Sequence, residues 1–139
     1  MKKVYIDANV ILRYITKDPP ALAQAAQKVF LEAEEGKVAL KIVPLIVAEV
    51  VWVLESFYDY PKAQIAETLI QLLLCEGLEV DQSRLLMEAL AIYQKKNIDF
   101  ADALLAATAI QYGPPLIYSF DQHLDRIEGV KRLTPGHPM

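Results

Sequence analysis

Short runs of β-forming residues alternate with longer segments of helical periodicity along the whole chain, and this alternation constrains the fold most strongly. The β-rich runs are 4–6, 38–43, 78–80, 116–120 and, more weakly, 130–133. The helical segments are 10–16, 21–35, 45–58, 62–75, 82–95 and 100–112. Strands that alternate with helices favour a mainly parallel sheet covered by helices on both faces. We therefore predict an α/β fold with a central sheet of about five strands.

The length of 139 residues fits one domain over residues 1–139, and no linker or repeat divides it. Hydrophobic residues make up 54% of the chain, so part of the apolar surface is expected to cover a partner, most simply in a homodimer. Cys75, the only cysteine, lies in an apolar run and is predicted to be a core residue. No apolar run reaches the roughly 18 residues of a membrane span, and we expect a soluble, cytoplasmic protein.

The net charge of −4 is unusual for a protein that binds nucleic acid, since such proteins are mostly basic. If four of the 18 acidic residues bind metal ions, 14 remain, and these are matched by 14 Lys and Arg side chains. Bound divalent ions can also supply local positive charge for phosphates. The charge therefore neither suggests nor excludes an RNA substrate.

Two of the predicted strands are followed directly by an aspartate, Asp7 after 4–6 and Asp121 after 116–120. The alternative for Asp7 is a helix cap, which an Asp at this position favours by itself. In a parallel sheet, however, both residues would lie at the carboxyl edge, where ligands bind. Two like charges placed together there require a compensating cation.

Glu49 lies in the apolar segment 45–54, which predicts a buried helix. Its neighbours three and four positions away are all apolar: Leu45, Ile46, Trp52 and Val53. A carboxylate in such a stripe must be paired, protonated or bound to a metal ion. A metal ligand is the favoured interpretation, and a structural ion pair is the alternative.

Asp99 and Asp102 lie at the start of the segment 100–112. Asp99 is a natural N-cap, and Asp102 follows three residues later, near the positive end of the helix. Capping and the helix dipole alone could explain both. The functional interpretation is that Asp102 projects towards the strand ends, while Asp99 is a cap or an auxiliary ligand.

Asp7, Glu49, Asp102 and Asp121 come from four separate segments, without a histidine or cysteine cluster. Such an oxygen-only set suits Mg²⁺ or Mn²⁺, whereas zinc favours His and Cys. His123 and His137 are isolated and are predicted to lie at the surface, although His123 is close enough in sequence to Asp121 to contact the site.

Four short segments in order resemble the acidic motifs of PIN domains. They are YIDANVILRY (5–14), VAEVVWVL (47–54), DFADAL (99–104) and SFD (119–121). Their order and spacing are similar to those of toxin ribonucleases of the VapC kind, and the resemblance runs from about residue 3 to residue 133. It implies a PIN-like three-layer α/β/α fold and an endoribonuclease that depends on Mg²⁺ or Mn²⁺. It also implies a homodimer that acts as the toxin of a type II toxin–antitoxin system and is neutralised by a small antitoxin protein.

By motif, the resemblance assigns catalysis and metal binding to Asp7, Glu49, Asp102 and Asp121. Asn9 and Ser119 match positions where small polar residues support the site, and Ser119 stands where Thr is commoner. Candidate RNA-phosphate contacts among the basic residues are Arg13, Lys17 and Arg126.

Three alternatives remain open at this point. The first is a DNA-directed nuclease that uses the same acids. The second is a catalytically silent PIN-like nucleic-acid-binding or scaffold protein. The third is a metal-dependent phosphatase acting on small phosphomonoesters. Phosphate-binding loops of the P-loop type, dinucleotide-binding glycine motifs and serine-nucleophile elbows are absent from the sequence.

Overall fold

The computed structural model describes residues 2–138, which contain six α-helices, five β-strands and one short 3-10 helix. In chain order they are β1 (Lys2–Tyr5), α1 (Ala8–Thr16), α2 (Pro20–Glu34), β2 (Val38–Ile42), α3 (Pro44–Ser56), α4 (Lys62–Leu73), β3 (Leu78–Val80), α5 (Ser83–Lys96), α6 (Phe100–Tyr112), β4 (Leu116–Tyr118), the 3-10 helix (Gln122–Arg126) and β5 (Lys131–Leu133). Every predicted strand and helix is present, and no end differs from its predicted position by more than two residues. The predicted α/β class is confirmed.

The chain forms two compact units, one ending at Ser83 and the other beginning at Arg84. The first unit contains the parallel sheet β1-β2-β3, with β2 in the centre. Leu40 and Ile42 of β2 are fully buried, because they lie under helices and between two paired strands. Helix α1 packs against α2 and α3, and α2 packs against β2.

Proline starts two of the helices in this first unit. Pro20 begins α2 and Pro44 begins α3, where the missing N–H costs no hydrogen bond and the fixed φ suits a helix. Because Pro44 follows Ile42 by only two residues, α3 leaves the sheet directly at the carboxyl end of its central strand. This sharp exit fixes where the side chains of α3 can lie.

The second unit contains α5, α6 and the parallel pair β4-β5. Its core includes Leu86, Leu90 and Tyr93 of α5 and Ala103 of α6, all fully buried. The rings of Tyr93 and Phe100 meet edge to face with centroids 5.9 Å apart. The backbone N–H of Ser119 donates to the Leu133 carbonyl at 3.0 Å, which continues the ladder beyond Tyr118.

Two details of the predicted sheet differ from the structure. The five strands form one sheet of three and one of two, so neither sheet has five strands. In addition, β4 ends at Tyr118, which places Asp121 three residues beyond the strand rather than directly after it. Strands of three residues make few ladder hydrogen bonds, and apolar composition alone does not define where they stop. The single domain over residues 1–139 stays a prediction.

Cys75 is exposed, so the prediction of a core cysteine is wrong. Helix α4 ends at Leu73, and Cys75 lies past the last buried turn of the helix rather than within its apolar stripe. None of the helices in residues 2–138 is long and apolar enough to cross a membrane.

Candidate active site

Asp7 and Glu49 line the same open cleft of the first unit, which has a volume of about 410 Å³. The walls come from the start of α1 and from one stripe of α3 and the residues that follow it. The complete lining is Asp7, Ala8, Asn9, Leu12, Arg13, Glu49, Val53, Phe57 and Tyr58. Two acids that are 42 positions apart in the sequence are therefore neighbours in the fold, as the acidic-motif interpretation expects.

Asp7 caps α1 and also lines the cleft, so its placement is compatible with both interpretations that the sequence left open. Its backbone is extended, and its Oδ1 caps α1 by accepting hydrogen bonds from the backbone N–H groups of Asn9 at 2.9 Å and Val10 at 3.3 Å. No residue among 2–138 donates a hydrogen bond to Oδ2, and the side chain is exposed to the cleft. Capping holds the carboxylate in place and leaves the second oxygen available for a ligand.

Glu49 is exposed, and the prediction of a helix buried all round is wrong for its face of α3. The helix buries the opposite side, formed by Val47, Val50, Val51 and Leu54. Leu45 and Trp52, the apolar neighbours of Glu49, are themselves exposed. Apolar residues lie on both faces of α3, but packing covers only one of them. An apolar stripe on this helix therefore does not by itself indicate burial. Position in the cleft, rather than burial, is what supports Glu49 as a site residue.

Arg13 braces the cleft through three hydrogen bonds. Its Nη2 donates to Oδ1 of Asn9 at 3.2 Å, and its Nη1 donates to the hydroxyl of Tyr58 at 3.1 Å and to the carbonyl of Asp18 at 2.8 Å. The guanidinium therefore joins α1, the turn after it and the segment after α3. Asn9 is held beside Asp7 in this way, and its supporting role stays a prediction. An RNA contact by Arg13 stays a prediction.

Lys17 lies outside this cleft. It is the C-cap of α1, with a left-handed φ of 59°, and lines a separate open cavity of about 600 Å³ between α1, α2 and α4. Its predicted contact with RNA is not tested by this placement and stays a prediction.

The second unit brings Asp102 and Asp121 together. Asp102 lies in the first turn of α6, and Asp121 is the N-cap of the 3-10 helix. Partial burial raises the pKa of Asp102 above its ordinary value, and the neighbouring charges of Asp121 and Asp99 and a hydrogen bond with Asp121 raise it further. His123 acts in the opposite direction. Desolvation and the proximity of other carboxylates both disfavour the charged form and therefore act in the same direction here.

Asp99 is the N-cap residue of α6 by its backbone, although its side chain accepts no capping hydrogen bond. Its exposed carboxylate instead adds to the negative charge around Asp102. The predicted position at the helix start is correct, and a role as an auxiliary ligand stays a prediction.

Asp121 is hydrogen-bonded to Ser119, two residues before it, and to His123, two residues after it. The backbone N–H of Asp121 donates to Oγ of Ser119 at 2.9 Å, and the supporting role of Ser119 in the site stays a prediction. The backbone N–H of His123 donates to Oδ1 of Asp121 at 2.9 Å, and its Nδ1 lies 3.2 Å from the same oxygen. His123 is exposed, as predicted, and its ring makes the contact near Asp121 that its position two residues further along the chain allowed.

Two arginines of the second unit also support this region. Arg132 donates to the carbonyl of Ser119 at 3.0 Å and pairs with Asp125 through Nε at 3.0 Å, a contact that sequence reasoning missed. Arg126 donates to the carbonyl of Asn97 at 2.7 Å, at the end of α5. The predicted RNA contact of Arg126 stays a prediction.

The carboxylates fit a hard divalent cation. Among residues 2–138 no three His, Cys, Asp or Glu side chains form a group that could hold a metal ion by themselves. Mg²⁺ commonly binds proteins through one or two carboxylates and keeps several waters, so a pair of acids is sufficient. The salt bridges of the described residues include neither Asp7 nor Glu49, so neither carboxylate is held in an ion pair.

Replacing Asp102 by Asn should stabilise the protein in the presence of a chelator at pH 7. Because the pKa of Asp102 is raised in the fold, ionising this group costs stability, and that loss grows as the pH rises from the unfolded-state value through the folded one. With solvent screening the gain is at most about 1 kcal/mol, or a few degrees in Tm. Thermal melts should show the difference at pH 7 and lose it near about pH 3. Equal melting of both proteins at pH 7 would contradict it.

The chain has a parallel α/β fold, with carboxylates near the starts of helices and on α3. The comparison with known families identifies the class of protein to which these features belong. The model of the PIN domain family matches residues 4–130, and the chain belongs to this family. Among characterised proteins, the chain is similar to a VapC ribonuclease of Aquifex aeolicus (strain VF5). The two are 23% identical over 130 residues, which cover 94% of this chain and 95% of that protein.

Proposed function

We propose that the protein is an endoribonuclease that hydrolyses RNA phosphodiester bonds with Mg²⁺ or Mn²⁺. The observation that carries the proposal is the cleft that joins Asp7 and Glu49 in a PIN-domain chain. The similarity to a VapC ribonuclease supports RNA as the substrate. Carboxylate oxygens without a histidine or cysteine cluster favour these two metals over zinc.

In this proposal Asp7, Glu49, Asp102 and Asp121 are the metal ligands. A divalent ion held by these carboxylates would supply positive charge for the scissile phosphate and would lower the pKa of bound water. The protein contributes fixed ligands. Capping of α1 orients Asp7, and the Ser119 hydroxyl orients the backbone of Asp121. The pKa of Asp102 is raised first by partial burial and then by the charges of Asp121 and Asp99, and a bound cation would relieve the repulsion among these carboxylates.

We further propose that the protein acts in the cytoplasm as the toxin of a type II toxin–antitoxin pair, as a homodimer neutralised by a small antitoxin protein. The similarity to a VapC ribonuclease supports the toxin role. The exposed Leu45 and Trp52 on α3 support a protein interface, because two large apolar side chains on one helix are costly to leave in water.

The function is tested by giving the purified protein three substrates: mixed cellular RNA, single-stranded DNA of matched length and p-nitrophenyl phosphate. Each is incubated with Mg²⁺, with Mn²⁺ or with chelator. We expect RNA to be shortened with either metal and to remain intact in chelator. Equal cleavage of DNA would instead support a DNA-directed nuclease, and hydrolysis of the small ester alone would support a phosphatase. RNA that is shifted in a gel but never cut would support a binding protein.

A further inference from the structure

Phe57 is the one large, strongly exposed aromatic residue in the lining of the acidic cleft, within the residues that the structure describes. Its side chain is 75% exposed, so it contributes little to the core. It follows Glu49 by eight positions and Val53 by four, and these spacings place the three residues along one stripe of α3 and its C-cap. The ring therefore shares the open cleft with the two acids.

The ring is held in place from one side. Phe57 meets Tyr58 edge to face, with centroids 4.9 Å apart and an interplanar angle of 74°. Tyr58 is half-buried, and its hydroxyl accepts a hydrogen bond from Arg13, which also binds Asn9 beside Asp7. An edge-to-face contact leaves most of the ring surface open, as the exposure shows. Phe57 is thus a positioned aromatic surface, connected through two side chains to the acid site.

We propose that Phe57 stacks against an unpaired nucleobase of the RNA, next to the phosphate that is cut. The proposal rests on the proposed ribonuclease function and deepens it by naming a residue of this chain that would position the substrate. Stacking on an aromatic ring needs a base whose face is free, which an unpaired nucleotide offers and a duplex does not. The site would therefore select single-stranded or looped RNA, with little preference for base identity.

The surroundings favour a nucleotide over a protein at this ring. The residues that share the cleft with Phe57 include two carboxylates, Asn9 and Arg13, a polar set that suits a sugar-phosphate backbone and its metal ions. Trp52 provides the contrast, because it lies on the same helix and is 69% exposed but does not line the cleft. Leu45 and Trp52, which support the proposed protein interface, lie outside the cleft, whereas a nucleotide held at the acids would contact Phe57.

The test measures binding of a short unpaired RNA by fluorescence anisotropy with Ca²⁺ in place of Mg²⁺, after a gel confirms that the RNA stays intact. Phe57→Leu keeps an apolar side chain but removes the ring, and Trp52→Leu is the matched control. We expect Phe57→Leu to weaken binding about 5-fold to 150-fold, the equivalent of one base stack. Trp52→Leu should change it less than about 2-fold, and Phe57→Trp should restore binding.

An abasic scan separates stacking from a structural effect. In a series of RNAs, each lacking one base, the wild-type protein should lose affinity for the RNA that lacks the stacked base, and Phe57→Leu should lose this sensitivity. The double variant Trp52→Phe, Phe57→Trp contains a single tryptophan, at position 57. Its fluorescence should be quenched by the intact RNA but not by the RNA that lacks the stacked base. Equal affinity of wild type and Phe57→Leu, or equal abasic profiles, would overturn the proposal.

The outcomes also separate this proposal from the proposed function. If the wild-type protein cuts RNA and Phe57→Leu binds and cuts equally well, stacking is wrong and the nuclease stands. If binding depends on Phe57 and on one base while RNA is never cut with any metal, stacking stands and hydrolysis is wrong. If Phe57→Leu and Trp52→Leu both change the oligomeric state and neither changes RNA binding, the ring belongs to a protein interface and the proposal fails.

Discussion

Replacing Asp7 by Asn should reduce the rate of metal-dependent RNA cleavage about 100-fold or more. The change removes one ligand charge, and metal ions contribute several kcal/mol to stabilising the charge of a phosphoryl transition state. The fold should survive, because Asn is as good an N-cap as Asp and can keep the hydrogen bonds to the N–H groups of Asn9 and Val10. Initial rates with Mg²⁺ and Mn²⁺, beside thermal melts in chelator, measure the two effects separately.

Glu49→Gln should cause a loss of similar size, because Glu49 shares the cleft with Asp7. If the two acids hold the same ion, the double variant should be little worse than the more damaging single change, since residues that act as a unit are not additive. Glu67→Gln is the matched control: Glu67 is an exposed acid of α4 that does not line the cleft. Wild-type rates in Asp7→Asn would place the activity at another site or in a contaminant.

The sequence predicted the helices and strands well, because these depend on local signals. Apolar periodicity and proline defined the helices, and Asp7 was found from its place between an apolar strand and a helix. The division of the strands into two sheets depends on which edges pair, and short apolar runs do not encode that. Membership of the PIN family agrees with the acidic motifs in residues 5–14, 47–54, 99–104 and 119–121.

The errors came from equating apolar sequence with burial. The apolar neighbours Leu45, Ile46, Trp52 and Val53 predict a buried stripe around Glu49, yet Leu45 and Trp52 are exposed and the other two are half-buried. Cys75 was assigned to the core for the same reason. Arg13, which donates a hydrogen bond to Asn9, also donates one to Tyr58, 45 positions further along the chain. A contact over this distance leaves no pattern in the sequence. Contacts of this kind depend on tertiary structure. The side chains that position an acidic residue are therefore harder to predict from sequence than the acidic residue itself.

Replacing Gly77 by Ala should destabilise the first unit by about 2–5 kcal/mol. Gly77 precedes β3 with a φ of +84°, where a side chain is strained, and its carbonyl accepts a hydrogen bond from the Leu40 N–H at 2.8 Å. A Cβ at this position would lie 2.7 Å from the Cβ of Ala33 and still closer to the Ala33 backbone carbonyl. Because Ala33 is buried in α2, neither partner can move away without disturbing the packing of α2 on β2.

Gly36→Ala is the matched control that isolates the steric part of this effect. Gly36 has nearly the same φ of +80°, but a Cβ there would meet nothing within 4 Å. It should therefore lose only the backbone term of about 1–2 kcal/mol, while Gly77→Ala loses that and the clash. In thermal melts followed by circular dichroism, we expect Tm to fall by about 10 °C or more for Gly77→Ala and by roughly half as much or less for Gly36→Ala. Equal melting of the two variants would mean that Gly77 does not lie against Ala33 of α2. The placement of β3 and of its neighbour β2, which is followed directly by α3 and Glu49, would then have to be revised.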